Sequence, residues 1–287
     1  VNISTLREIT GLPIRGLRPL SGGCVGQVYL AECNDGTRAV LKVAQSRRAE
    51  PDGSTLDIEG YMLEYLRVHS RLPVPRVLYC SPSVLAMEYL PGQSRFDRKA
   101  EEHAAELLAD LHNVTAPRFG FERSTLIGGL MQPNPWSDRW VDFYREQRLL
   151  YMAEESAQVG AVNAPLLRRI ARLADDLDKY LMEPKHPSLL HGDVWTNNVL
   201  AEQGRITGFL DPAIYYGHPE VELAFITLFH TFGNYFFECY STIHPLDAEF
   251  FTVRRPIYLL YPLLVHARLF GSTYAAEVDS ILRRIGY

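Results

Sequence analysis

The chain has 287 residues, enough for two packed lobes, and its 47% apolar and 22% charged content is that of a globular protein, excluding a disordered or fibrous one. Its formal net charge of −5, with no long basic tract, offers little to nucleic acid or to an anionic membrane surface, although a local phosphate pocket remains open. No run approaches the roughly 18 apolar residues of a membrane span and no signal pattern opens the chain, so a cytoplasmic protein is expected.

In chain order, Thr5 and Glu8 stand at capping-box spacing and predict a short helix over 5–10. Three strands should follow in 14–20, 24–33 and 37–44, the last two joined at Asn34-Asp35-Gly36. Residues 54–70 change to helical period, with Leu56, Met62, Leu63 and Leu66 on one stripe, and Pro73 and Pro75 end that pattern. Two more short strands, 76–80 and 84–90, lead to a hinge at Pro91-Gly92. Beyond it helices are predicted over 98–114, 137–158, 163–182, 220–232, 247–268 and 273–284, interrupted by two short strands around Gln203-Gly204. The fold class is therefore α+β, two-lobed: a β-rich lobe over 1–90 and a mainly helical lobe over 91–287. Cys24, Cys33, Cys80 and Cys239 show neither C-x-x-C spacing nor companion histidines and read as free thiols.

Four features carry chemistry. Gly22 and Gly23, in "LSGGCVGQVYL", free a turn whose backbone N–H groups can cradle phosphate, or simply make a tight hairpin. Lys42 is a lone cation in an apolar strand, and Glu59 on the next helix is placed to pair with it, although an edge lysine and a solvated glutamate would look the same. The fourth is "HGDVWTNNVL" with a later aspartate. Phosphoryl transfer from ATP needs a carboxylate to take the proton of the attacking hydroxyl, the role of Asp193. It also needs oxygen ligands for Mg²⁺, the role of Asn198 and Asp211. His191 is expected to brace the loop. In "LAMEYLPG", Met87 should lie beside the adenine, with backbone groups of Glu88 and Leu90 pairing with the base edge. The order glycine turn, strand lysine, helix glutamate is that of protein-kinase-like folds.

With H-G-D in place of H-R-D and no A-P-E segment, the chain resembles the small-molecule kinases of that superfamily. Within them it is most similar to the fructosamine (ketosamine) kinase family, on "LSGGCVGQVYLAECNDGTRAVLKV", "HGDVWTNNVL", "LDPAIYYGHPEVELAFITLFHTF" and flanking stretches that run over most of the chain. The resemblance implies ATP-dependent phosphorylation of the 3-hydroxyl of small-molecule or protein-linked ketosamines, and hence deglycation, by a monomer or homodimer. It carries Lys42, Glu59, Asp193, Asn198 and Asp211 onto catalytic and nucleotide-site positions. On the sugar side stand Trp195, which stacks or else braces the loop, and Tyr215 and His218 of an aromatic set that includes Tyr216. Two departures stand out: Thr196-Asn197 where the family has Ser-Gly, with asparagine able to keep a positive φ, and Glu222 where an aspartate is usual. Glu222 serves if that residue only braces the loop. Cys24, in the phosphate turn, is either a thiol activated by N–H groups and Lys42 or a small residue that fits. The competing readings are a kinase for an aminoglycoside or amino alcohol, and a non-catalytic nucleotide-binding scaffold.

Overall fold

The computed structural model describes residues 2–20, 27–44 and 56–287. Helix α1 (Ile3–Thr10) is capped by Asn2, whose side chain accepts the Ser4 N–H at 2.9 Å, and not by Thr5. Starting there brings Ile3 and Leu6 together against the sheet. The sheet is built from β1 (Ile14–Pro19), β2 (Gln27–Cys33), β3 (Arg38–Val43), β4 (Val77–Cys80) and β5 (Val84–Glu88), in the order β1-β2-β3-β5-β4 and antiparallel throughout. The predicted turn joins β2 to β3, with Gly36 at φ +83° and the Asp35 carboxylate accepting the Thr37 N–H.

Alternation along the strands divides the apolar residues between two cores. Ala39, Leu41, Val84 and Ala86 pack under α1 in a small cluster. Their neighbours Val40, Leu85 and Met87 face helix α2 (Leu56–His69), whose Leu56, Met62, Leu63 and Leu66 belong to the main core. Lys42 shares the parity of Val40, so it emerges on the α2 side.

The remainder is mostly helical. Asp97 caps α3 (Arg98–His112), and a hairpin of β6 (Thr125–Ile127) and β7 (Leu130–Gln132) follows. Helix α4 (Trp140–Tyr144) passes through a π-turn at Arg145–Leu150 into α5 (Tyr151–Gln158), and α6 (Ala164–Asp175) is capped by Asn163. Strand β8 (Ser188–Leu190) leads to a 3-10 turn at Thr196–Asn198, then to the hairpin of β9 (Val199–Glu202) and β10 (Arg205–Phe209). Strand β11 (Tyr215–Gly217) returns to pair with β8. Five helices complete the lobe: α7 (Pro219–Leu228), α8 (Asn234–Ile243), α9 (Arg255–Tyr258), α10 (Leu260–Phe270) and α11 (Ser272–Arg284). The single helix predicted over 247–268 is divided into a π-turn at Phe250–Arg254, α9 and α10. Pro256 and Pro262 each withhold the N–H an uninterrupted helix needs. No helix among the described residues is long and apolar enough to cross a membrane.

Candidate active site

The structure brings Lys42, Glu59, Asp193, Asn198 and Asp211 together in the cleft between the sheet and the helical lobe. The Lys42 ammonium donates to Glu59 Oε1 and to Asp211 Oδ1, each at 2.6 Å, with only 9% of its side chain exposed. Burial opposes this charge, but the Asp211 and Glu59 carboxylates more than offset it and hold the ammonium above the usual lysine range. Burial raises Glu59 in turn, against the pull of Lys42.

The loop after β8 is fixed from several sides. Gly192 has φ +86°, and a Cβ there would lie 2.2 Å from the Ala213 carbonyl oxygen, so glycine is required on both counts. Its N–H donates to Glu222 Oε1 at 2.6 Å, while Glu222 Oε2 meets His112 Nε2 at 2.9 Å and His112 Nδ1 meets the Tyr240 hydroxyl at 2.7 Å. Glu222 thus braces the loop. His191 is fully buried and accepts the Asp193 N–H at Nδ1, which puts its own proton on Nε2, an atom without a partner among the described residues. Burial lowers its pKa to about 4, so it stays neutral and structural.

Asn198 donates through Nδ2 to the Asp193 backbone carbonyl at 3.0 Å and to Asp193 Oδ2 at 2.8 Å, while its own carbonyl accepts the Leu210 N–H. Among the described residues Asn198 Oδ1 and Asp211 Oδ2 have no hydrogen-bond partner, which leaves one amide and one carboxylate oxygen of this pair available to a hard cation. Asp211 sits at φ +53°, a conformation aspartate tolerates better than most. Burial and the charge of Asp211 push Asp193 up to about 8, with the Asn198 hydrogen bond acting in the opposite sense. Asn197 departs from the expectation. It lies in the 3-10 turn, and the non-glycine residues of positive φ among those described are Gln203, Asp211 and His230. Nothing in this turn calls for a glycine.

A pocket opens beside Asp193, walled largely by apolar side chains of α7 and α10. Trp195 and Tyr215 both line it; the Trp195 ring packs on Phe229 at 5.4 Å, and Tyr215 is buried with the Arg148 guanidinium over its ring at 4.0 Å. His218 does not reach it. It caps α7 by accepting the Glu220 N–H, is packed against Trp140 and Tyr258, and is brought down to about 3 by burial and the nearby Arg254.

At the hinge, Met87 is buried and the Glu88 N–H is taken by the Arg76 carbonyl, while Leu90 lies over Gly208 of β10, where any side chain would collide with it. Gly22, Gly23 and Cys24 lie outside the described residues; Cys33, Cys80 and Cys239 are free thiols.

A buried polar network was not anticipated from sequence. Gln132 Nε2 donates to the Ala213 carbonyl and to Thr125 Oγ1, Thr125 donates to the Ile214 carbonyl, and Tyr261 donates to Gln132 Oε1. Asn134 joins Thr125 to Arg148, which is buried without a carboxylate partner among the described residues and donates instead to the Pro133 carbonyl and Asn134 Oδ1. Together these side chains hold the segment that follows Asp211. Isolated polar residues in "STLIGGLMQPN" were the only trace.

Comparison with known proteins agrees with this geometry. Residues 2–286 match the fructosamine kinase family. The chain is 32% identical over 274 residues to a protein of Enterococcus faecium named probable ketoamine kinase, covering 92% of this chain and 93% of that one. It is 30% identical over 285 residues to the chloroplastic protein-ribulosamine 3-kinase of Arabidopsis thaliana, covering 96% and 84%. A crystal structure assigned as a fructosamine-3-kinase from Thermobifida fusca superposes with a TM-score of 0.87 at 29% identity, covering 98% of this chain and 96% of that one. An aminoglycoside phosphotransferase crystallised with ADP and hygromycin B gives 0.69 at 20% identity, over 99% and 98%, a likeness of fold alone. With the lysine, the three carboxylates and the asparagine gathered in one cleft and the family matched over residues 2–286, this chain belongs to the fructosamine kinase family.

Proposed function

We propose that this protein transfers the γ-phosphoryl group of ATP to the 3-hydroxyl of a ketosamine, such as a fructosamine or ribulosamine adduct, free or protein-linked. The observation that carries the reading is the single cleft in which Lys42, Asn198 and Asp211 stand on one side of Asp193 and the Trp195-lined pocket on the other. Nucleotide occupies the side of the sheet, with the base against Met87, the Glu88 carbonyl and the Leu90 N–H and the phosphates toward Lys42. In this division residues 1–90 hold nucleotide and 91–287 hold the acceptor and the catalytic loop.

Asp193 accepts the proton of the acceptor hydroxyl as its oxygen attacks the γ-phosphorus and the bond to the ADP oxygen breaks. As a base Asp193 acts in its ionised form: burial and the Asp211 charge oppose that form, while the Lys42 charge, and that of a bound cation, favour it. Asn198 keeps Asp193 aimed by donating to Oδ2. The free oxygens of Asn198 and Asp211 suit Mg²⁺, which takes few protein ligands besides phosphate oxygens and water and, when bound, supplies charge neutralisation to the phosphates. We place the protein in the cytoplasm as a monomer or homodimer. An aminoglycoside acceptor fits less well, because the second carboxylate on the pocket wall, Glu222, is fully buried and turned to Gly192 and His112.

The test is ATP consumption with Mg²⁺ against fructosamine and ribulosamine adducts, an aminoglycoside, choline, and no acceptor, with ³¹P NMR locating the phosphate. Phosphorylation confined to ketosamines is expected. Turnover only with another acceptor, or ATP binding with no turnover, overturns the reading.

A further inference from the structure

We propose that the apolar pocket beside Asp193 receives the amine half of the acceptor, and that the enzyme prefers ketosamines whose amine bears an uncharged, unbranched hydrocarbon chain. This rests on the kinase reading above. The walls are Ile127, Val221, Phe225, Pro262, Val265 and Leu269, and none of the described residues lining the pocket is a lysine or arginine. The polar groups it contains are mostly engaged: Glu222 by Gly192 and His112, Tyr261 by Gln132, His266 Nδ1 by the Pro262 carbonyl. Asp193 and the Trp195 indole N–H remain for the sugar.

A polyhydroxylated sugar pushed deeper would leave hydroxyls unpaired, each costing roughly 10- to 100-fold in affinity. A carboxylate on the amine would fare worse, desolvated with no cation among the described lining residues, and an ammonium would be desolvated against hydrocarbon, with the Glu222 carboxylate buried behind the wall. The sugar therefore stays at the Asp193 and Trp195 end, and the amine substituent enters the hydrocarbon-lined part. The free volume is about 80 Å³, half the ~150 Å³ cavity that admits a benzene ring. That suits a straight alkyl chain. Phe270, 56% exposed and lining the same pocket, extends the apolar surface outward beside His266 and Tyr274 for longer chains.

The experiment measures kcat/KM for ribulosamine and fructosamine adducts of methylamine, ethylamine, n-butylamine, 4-aminobutyrate and 1,4-diaminobutane. Each added methylene should raise kcat/KM by roughly 3- to 4-fold up to the butyl adduct. Ending the four-carbon chain in a carboxylate or ammonium should lower it by at least about 10-fold relative to butyl. Leu269→Asn and Phe270→Ser should flatten the series, although the wild-type series decides by itself. Equal values across the amines, or a preference for the charged ones, overturns the proposal and leaves the kinase reading standing. Absence of turnover with every ketosamine overturns the kinase reading and this proposal with it.

Discussion

Asp193→Asn should make the nucleotide-free protein more stable while disabling it. The carboxyl ordinarily ionises near 3.8, and in the fold it is pushed to about 8 by burial and the neighbouring Asp211 charge. Across that interval the folded chain holds a proton that the unfolded chain has released. The fold is therefore progressively penalised as pH rises from about 4 to 8, and the penalty vanishes below the unfolded pKa. At about 1.4 kcal/mol per pH unit the ceiling at pH 7 is about 4 kcal/mol. Solvent contact around the partly exposed side chain brings the expected gain to about 1–2 kcal/mol. Asparagine keeps an oxygen to accept the Asn198 amide, so little packing changes. For a chain of this length the gain corresponds to a rise of about 2–3 °C in Tm. Thermal melts of wild type and variant from pH 4.5 to 8.5, without nucleotide and with a chelator present, measure it. The gap should widen with pH, and turnover should fall by about 10²–10⁴-fold. A variant less stable than wild type throughout, or a gap that does not change with pH, would refute the electrostatic account of this site.

Lys42→Met leaves Glu59 buried beside an apolar group and should destabilise by about 3–5 kcal/mol in urea titrations; adding Glu59→Gln should restore much of that stability and none of the activity. Glu222→Asp, one methylene shorter, cannot span Gly192 and His112 together and should cost about 1–3 kcal/mol with a lower kcat, read from melts and steady-state kinetics. His218 is held neutral, with its pKa near 3, so stability should be lost as pH falls from about 6.5 toward 3. His218→Asn, which can still cap α7, should make melts over that range less acid-sensitive.

Much of the cluster around Lys42, Asp193 and Asp211 was legible because its determinants are local or periodic. The parity of β3 alone sends Lys42 to the face of α2, and the five-residue step from Asp193 to Asn198 is one tight turn. The apolar pocket beside Asp193 was not. Its walls come from the β6–β7 turn, α7 and α10, residues far apart in the chain that meet only through packing, and an apolar helix face looks the same whether it lines a core or a pocket. His218 shows the converse error: a histidine beside two tyrosines reads as a sugar contact, yet the first turn of α7 needs a cap and takes it. Helix α8 escaped notice because "NYFFECYSTI" is rich in aromatic and β-branched residues with Glu238 its one strong helix former, and its packing on α3 supplies what propensity lacks.

The carbonyls of Ala213 and Ile214 are held by Gln132 and Thr125, behind which stand Asn134, Arg148 and Tyr261. In protein kinases the stretch after the equivalent aspartate is the part that a phosphate group folds into its working shape. Here that ordering is inherited with the core, from side chains committed when the lobe folds. A segment assembled in this way needs no added phosphate to take this shape.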